Sequence, residues 1–272
     1  MWLFEKKMAL NTGSLGEMED ANTIFNEMNK RYGWQQRSKN GDWSEISGCD
    51  IFDELNISNT WDVKIISGGQ TGVDQGALCA AFALGVPFDG AFPKCNLVYG
   101  SIPNFVRKGL VVMTNKDDAR LEGLEVSLEE NKYYIEHKNG KIILEENQLQ
   151  KIWSKMQPIL QIRTEKNASD GDGTILAFNK DSELSGGTQY TLEMAEKHGK
   201  PVLRVNFSQN PNPVDAVQWM KDNGLKAINI GGPNERKSPG IQWQTFEYTA
   251  KIVIQCCLNM KAEIEFNPTV SK

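Results

Sequence analysis

The chain of 272 residues carries 30 Lys and Arg against 35 Asp and Glu, a formal net charge of −5, and 39% of its residues are hydrophobic. This composition is typical of a folded globular chain and excludes the fibrous and the wholly disordered classes. Because proteins that coat nucleic acid need clustered Lys and Arg to neutralise phosphates, the acidic balance also excludes nucleic acid as a main partner.

Neither a membrane segment nor a metal centre is indicated by the sequence. No apolar run reaches the roughly 18 residues needed to cross a bilayer, and charged residues at positions 5 to 7 interrupt the apolar start, so we expect no signal peptide. Five scattered cysteines without a CxxC spacing, together with only two histidines, indicate reduced thiols and no metal site. We therefore expect a cytoplasmic protein.

Residues 1–60 form a predicted N-terminal extension. They are rich in Asn, Ser, Gly and charged residues, yet they contain several tryptophans, among them Trp34 and Trp43. Disordered tails are usually poor in aromatic residues, so the pattern favours a partly ordered segment that packs on the rest of the chain. Apolar residues at helical spacing predict a helix over 21–32.

From Val63 onward, short apolar runs alternate with helical patterns. The predicted strands are 63–67, 109–114, 173–178, 202–207 and 226–230, and the predicted helices are 73–84, 187–198, 214–223 and one that begins near 239. Such alternation is typical of a parallel sheet covered on both faces. We therefore predict an α/β fold, a Rossmann-like doubly wound parallel sheet over residues 61–262, followed by a tail at 263–272.

The alternation is interrupted between about 115 and 161, which we interpret as an insertion. Residues 132–137 and 141–144 flank Asn139 and Gly140, a pair typical of a two-residue hairpin turn. A helical pattern follows over 146–160. The insertion is therefore predicted to be a hairpin plus a helix.

Three Gly-rich segments follow predicted strands: the first loop (67–74), the second loop (184–188) and the third loop (231–240). Ligands of open parallel sheets bind beyond the carboxyl ends of the strands. Glycines allow close approach of the backbone, and a following helix offers free amides and a positive dipole end to an anion. A plain tight turn accounts equally well for one such loop, but three together favour binding of a phosphate or another oxyanion.

Lys94 follows a further predicted strand and supplies a point charge to the same ligand, with a solvated side chain as the alternative. Asp170 and Asp172 suit Mg²⁺ or a ribose hydroxyl, but their Asp-Gly steps favour a simple turn at the amino end of a strand. The predicted ligand-binding residues are Gly68, Gly69, Gln70, Thr71, Gly72, Asp74, Lys94, Ser185, Gly186, Gly187, Thr188, Gly232, Pro233, Glu235 and Ser238.

An ordered set of motifs carries a family resemblance. It comprises IISGGQTGVD (65–74), Pro93-Lys94, Ile102-Pro103, Arg163-Thr164 with Asn167, LSGGT (184–188), HGKP (198–201) and the segment 229–241. Over about 63–258 the chain resembles the molybdenum carrier family of the SLOG superfamily, which are Rossmann-like nucleotide-ligand proteins. It departs from that family's pattern at Gln75, Cys79, Cys95, Asn96 and Lys166. The resemblance implies a homo-oligomer that binds a phosphorylated, nucleotide-like molecule, with molybdenum cofactor as the family's suggested cargo.

A looser resemblance concerns the second loop and the start of its helix. Residues 186–193 are similar to the PGGxGTxxE segment of the lonely-guy phosphoribohydrolases, with Ser185, Gln189 and Tyr190 at substituted positions. Glu193 falls at the position of that family's catalytic glutamate. The resemblance implies cleavage of the N-glycosidic bond of a nucleoside 5′-monophosphate; an exposed helix residue without a catalytic role is the alternative.

Three functions therefore remain open from the sequence. The chain binds a phosphorylated small molecule as a carrier, sensor or sequestering protein; it is a nucleotide N-glycosidase; or it is an interaction module with a vestigial site. The last predicted helix is apolar almost all round, and such a helix needs cover on more than one side. A second subunit is the favoured cover, and the N-terminal extension is the alternative.

Overall fold

The computed structural model describes residues 20–39, 43, 46–57, 63–93, 111–113, 125–129, 132–137, 140–143 and 160–266. Between 93 and 143, and at residue 266, the description is of the backbone. Lys94 and the predicted helix over 146–160, apart from its last residue, lie outside the described residues.

The described residues form ten strands and eight helices. The strands are β1 (Lys64–Ile66), β2 (Phe88–Asp89), β3 (Ala91–Pro93), β4 (Val111–Met113), β5 (Glu125–Glu129), β6 (Lys132–His137), β7 (Gly140–Ile143), β8 (Gly173–Phe178), β9 (Val202–Asn206) and β10 (Ala227–Gly231). The helices are α1 (Ala21–Tyr32), α2 (Trp34–Lys39), α3 (Ile51–Leu55), α4 (Val73–Ala83), α5 (160–170), α6 (Gly187–Lys197), α7 (Pro213–Asp222) and α8 (Ile241–Phe266).

Five parallel strands form the central sheet in the order β2-β1-β10-β8-β9. Ile65 of β1 lies beside Ile228 of β10, and Ile230 lies beside Ile175 of β8. All four side chains are buried, which explains why these strands are continuous apolar runs. When the strands are numbered from β10, the order becomes 3-2-1-4-5, that of a doubly wound nucleotide-binding sheet. The predicted Rossmann-like fold is confirmed.

Helices cover both faces of the sheet. α8 packs against α4 and α7 on one face, and α6 packs on β8 and β9. The chain moves across the sheet in one direction from β8 through α6 to β9, and in the opposite direction from β9 through α7 to β10. Because parallel crossovers are right-handed, α6 and α7 lie on opposite faces of the sheet. α4 and α8 approach closely at Gly76, where a Cβ atom would overlap the carbonyl oxygen of Gln242. The two loops that precede these helices are thereby held side by side.

The N-terminal extension covers α8. The predicted helix over 21–32 is confirmed as α1, which begins after the capping residue Asp20 and packs on α8. Phe25 and Trp34 are buried, and the ring of Trp34 meets that of Phe246 edge-on with centroids 5.5 Å apart. Together with α4 and α7, the extension supplies the cover that the sequence analysis assigned to a second subunit. The alternative that the sequence analysis gave, cover by the extension, is thus present for part of α8, and a homo-oligomer stays a prediction.

The region between β3 and α5 contains two smaller sheets. β3 pairs with β4 in parallel, and the predicted hairpin is confirmed as the antiparallel pair of β6 and β7. β5, which the sequence analysis missed, pairs antiparallel with β6. Its Glu-Val-Ser-Leu-Glu pattern alternates with period two, the signal that would have identified it. Helix α5 was also missed, since the predicted helix ended at residue 160.

Asp170 is the last residue of α5, and Asp172 lies in the bend that leads into β8 at the amino edge of the sheet, where the sequence favoured a turn. Asp170 accepts a hydrogen bond from the ammonium group of Lys166 at 2.6 Å. The Asp172 carboxylate accepts from the backbone amides of Ala227 at 2.8 Å and Lys226 at 3.0 Å. The amides of Ala227 and Lys226 hold the pKa of Asp172 below its usual value, although partial burial opposes them.

We expect Asp172→Ala to lower the free energy of unfolding by about 1 kcal/mol at pH 7, since two backbone amides lose a charged acceptor. The folded pKa lies below the unfolded pKa of about 3.9, so this contribution is complete above pH 5 and is lost as the pH falls through the folded pKa. Urea unfolding at pH 7 and pH 3 should therefore give a smaller difference at pH 3. Asp170→Ala is the control, because its exposed ion pair contributes about 0.5 kcal/mol. An equal effect at the two positions would contradict the prediction.

Candidate functional site

A cleft of about 490 Å³ opens at the carboxyl ends of β1, β8 and β10. These strands lead into the first, second and third loops, respectively. The cleft lies at the β10–β8 boundary, where the loops depart to opposite faces of the sheet, the position at which doubly wound sheets bind ligands. The lining residues are Gly68, Gln70, Asp74, Leu160, Gln161, Arg163, Thr164, Asn167, Ser185 through Thr191, Glu193, Asn229 through Asn234, and Lys237.

The cleft brings together part of the predicted ligand-binding set. The predicted residues that line it are Gly68, Gln70, Asp74, Ser185, Gly186, Gly187, Thr188, Gly232 and Pro233, with the predicted catalytic Glu193. The predicted residues Gly69, Thr71, Gly72, Glu235 and Ser238 are not part of its lining. Residues of all three loops therefore line one cleft, although the loops contribute unequally, and ligand binding by these residues stays a prediction.

Several amides of the first loop donate hydrogen bonds within the chain. Asp74 accepts a hydrogen bond from the amide of Gln70 at 3.3 Å. The amide of Gly72 donates to the side-chain oxygen of Gln242 at 2.9 Å, and that of Val73 donates to the carbonyl of Pro233 at 3.2 Å. The amides of Gln70 and Gly72 therefore have partners within the fold, and the expectation that successive amides of this loop cradle a ligand stays a prediction.

Close packing of the first loop on the third loop explains why position 72 is a glycine. Gly72 has φ +98°, a conformation that favours glycine, and a Cβ atom there would lie 2.6 Å from the Pro233 carbonyl oxygen. The amide of Glu235 donates to the carbonyl of Thr71 at 3.2 Å. Thr71 and Gly72 thus serve a loop–loop contact.

Two predicted residues of the third loop support α8. The Glu235 carboxylate accepts from the amides of Gly240 at 2.5 Å and Gln242 at 2.9 Å, and it thereby satisfies donors at the start of α8. The Ser238 hydroxyl accepts from the side-chain amide of Asn179 at 3.0 Å. Both polar groups are engaged in holding the third loop, which accounts for their absence from the cleft lining.

The second loop, in contrast, faces open space. Gly186 is the N-terminal cap of α6 with φ +58°, and no side chain caps that helix. A Cβ atom built at Gly186 or at Gly187 meets nothing within 4 Å. Beside them, the Lys237 ammonium donates to the Ser185 hydroxyl at 2.8 Å. The positive end of a helix and a lysine therefore meet at one wall of the cleft, an arrangement that suits an anion.

Helix α5 forms a wall that the predicted ligand-binding set did not include. The Arg163 guanidinium forms an ion pair with Asp74, with Nη1 and Oδ2 3.0 Å apart. Burial raises the pKa of the Asp74 carboxyl, and Arg163 together with the amides of Gln70 and Gly68 offsets part of that rise. Asn167 binds both the amide and the carbonyl of Ala91. The family motif contained Arg163, Thr164 and Asn167, which was the signal available for finding this wall.

Glu193 is exposed and lies on the α6 side of the cleft, where its carboxylate accepts a hydrogen bond from Gln189 at 3.1 Å.

Among the described residues, no cluster of three or more His, Cys, Asp or Glu could hold a metal ion. Within the same part of the chain, no helix is long and apolar enough to span a membrane.

The chain is similar to known proteins of one family. The model of the circularly permutated YpsA SLOG family matches residues 65–119 and 140–253. A crystal structure named "putative molybdenum carrier protein" from Syntrophus aciditrophicus SB is 26% identical, with 70% of this chain and 94% of that chain covered and a TM-score of 0.49. No curated protein matches the chain. Since the family model spans more than half of its residues, the chain belongs to the circularly permutated YpsA SLOG family.

Proposed function

We propose that the cleft binds a phosphate-bearing, nucleotide-like small molecule, with its phosphate at the second loop. The observation that carries this proposal is the contrast between the loops. In the first loop the amides of Gln70 and Gly72 donate hydrogen bonds within the chain, whereas the uncapped start of α6 at Gly186 and Gly187 opens to the cleft beside Lys237. Phosphate groups bind at such helix starts because free amides and the helix dipole act together.

The remainder of the cleft suits the rest of such a ligand. Its volume of about 490 Å³ falls within the range of roughly 300 to 1,000 Å³ that is usual for small-molecule sites. Tyr190 and Leu160 offer apolar surface for a flat ring, while Thr164 and Asn229 offer polar groups. An open cleft with this lining favours a binding site over a vestigial one.

The cargo that the Syntrophus neighbour's name suggests belongs to the same chemical class. A molybdenum-bearing pterin cofactor combines a fused ring with a phosphate group, so it would present its phosphate to the second loop as a nucleotide does. We therefore propose a carrier, sensor or sequestering role for either kind of molecule, and the lining of the cleft favours neither of them.

Calorimetric titration of the purified chain tests this function. We expect saturable heat with adenosine 5′-monophosphate, or with molybdopterin, and at least a tenfold weaker response to adenosine, which has the same ring and ribose but no phosphate. Inorganic phosphate should compete with the bound ligand. Flat titrations with every phosphorylated compound would refute the proposal.

An enzymatic role is a second proposal, because Glu193 lies in the wall of this same cleft. A carboxylate beside the ribose of a bound nucleotide would stabilise the positive charge that develops as the N-glycosidic bond breaks. This role requires release of free adenine from adenosine 5′-monophosphate, abolished by Glu193→Gln with binding retained. Intact nucleotide after prolonged incubation with concentrated protein would leave binding as the function.

A further inference from the structure

We propose that Asp74 and Arg163 form a latch that keeps the first loop closed and holds α5 against it, so that Arg163 is a positioning residue for ligand binding. The inference rests on the proposed function for its effect on ligands, but the latch itself is a property of the free protein. With the first loop held closed by this ion pair, the anion binds at the second loop.

The pair joins two walls of the cleft. Asp74 lies in the first turn of α4 and Arg163 lies in α5, and only 5% and 9% of their surfaces are exposed. Nη1 of Arg163 lies 3.0 Å from Oδ2 of Asp74. A Cβ atom at Gly68 would overlap this same Nη1 atom. The guanidinium therefore rests directly on the backbone of the first loop, in the space that a side chain at position 68 would occupy.

The Asp74 carboxylate is the centre of the latch. It accepts hydrogen bonds from the Arg163 guanidinium and from the amide of Gln70, so the charge that binds α5 also holds a donor of the first loop. Loss of Arg163 would leave the buried Asp74 carboxylate without this countercharge, and loss of Asp74 would remove the group that joins Arg163 to the first loop. Either change should release the loop amides.

The latch also sets the shape of the cleft, because α5 carries five of its lining residues: Leu160, Gln161, Arg163, Thr164 and Asn167. A second contact of α5, the ion pair between Glu165 and Lys197 at 2.7 Å, is exposed and reaches the end of α6 away from the loops. That surface pair offers a matched control, since it joins the same helix to the fold without touching a Gly-rich loop.

A double-mutant cycle tests the inference. The variants are Arg163→Met, Asp74→Asn and their combination, with Lys197→Met as the control and Arg163→Lys as a milder replacement if Arg163→Met does not fold. For each, the Kd for adenosine 5′-monophosphate and the hydrogen-exchange rates of the Gly68 and Gln70 amides are measured. A latch predicts about a tenfold rise in Kd in each single variant and no further rise in the double variant, because the two residues act as one unit. It also predicts faster exchange of both amides in these variants and unchanged values in the control.

Two outcomes overturn the inference, and a third separates it from the proposed function. If Arg163→Met weakens binding and Asp74→Asn does not, the arginine contacts the ligand directly. If Tm falls while Kd and the exchange rates stay as in the wild type, the pair is merely structural. If the wild type binds no phosphorylated compound, the proposed function fails, and the exchange rates alone decide whether the latch exists: unchanged rates in all variants would refute it.

Discussion

Replacing Gly232 by alanine is expected to destabilise the chain strongly, whereas the same replacement at its neighbour Gly231 is expected to be tolerated. A Cβ atom at Gly232 would overlap the carbonyl oxygen of Ala177 in β8 and would lie 2.7 Å from Cγ2 of Val73. At Gly231 the nearest atom is Cγ2 of Thr191 at 3.4 Å, which is ordinary van der Waals contact. The two glycines are adjacent in sequence and both line the cleft, so they form a matched pair.

The difference follows from what the new methyl group meets. The Ala177 carbonyl is part of the central sheet and Val73 begins α4, so neither can move without separating β10 from β8 or α4 from the sheet. We expect a loss of about 3 kcal/mol in the free energy of unfolding for Gly232→Ala and less than about 1 kcal/mol for Gly231→Ala. Urea unfolding monitored by circular dichroism measures both. Equal effects would contradict the described approach of β10 to β8.

Charge reversal at Lys237 is expected to have the largest effect on ligand binding. Its ammonium lies beside the open start of α6 through its bond to the Ser185 hydroxyl. A hydrogen bond to a charged group contributes about 1.5 to 3 kcal/mol, so Lys237→Glu should raise the Kd of a phosphorylated ligand by roughly tenfold to a hundredfold. Lys237→Met should have a smaller effect in the same direction.

The control is Lys221→Glu, which makes the same change in net charge at an exposed residue of α7 whose partner is Glu263. It should leave the Kd unchanged within about twofold at physiological salt, because charges farther away than about 8 Å are screened. Both variants should keep the wild-type Tm within a few degrees, since surface substitutions usually change stability by less than 0.5 kcal/mol. Similar losses of affinity in the two variants would show that overall charge, and not the second loop, attracts the ligand.

Four of the five strands of the central sheet and most of its helices could be predicted from the sequence because their signals are local. The two-residue strand β2 was missed, and the strand predicted over 109–114 is β4, which pairs with β3 outside this sheet. Strand β8 is a run of six residues that are all buried, and α7 begins with Asn212 as its cap and Pro213 in its first turn. The apolar spacing of α1 likewise predicted the residues that pack on α8. Each of these elements is specified within its own segment, so a pattern of period two or 3.6 identifies it.

The details of the cleft could not be predicted in the same way, because they depend on partners far apart in sequence. The Gly72 amide donates to Gln242, 170 positions away, and the Asp74 carboxylate pairs with Arg163 from a helix that the sequence pattern missed. Glycines in the first and second loops look alike in the sequence. Their roles differ because packing surrounds Gly68 and Gly72, whereas Gly186 faces open space.

Amide chemical shifts in a titration with adenosine 5′-monophosphate test the central claim most directly. The claim is that the phosphate of the ligand binds at the second loop and that the first loop stays closed. In the ¹⁵N-labelled protein, the largest shifts should occur at Gly186, Gly187 and Thr188, with small shifts at Gly68 and Gly72. Shifts concentrated at Gly68 and Gly72, or no shifts at saturating nucleotide, would contradict the account.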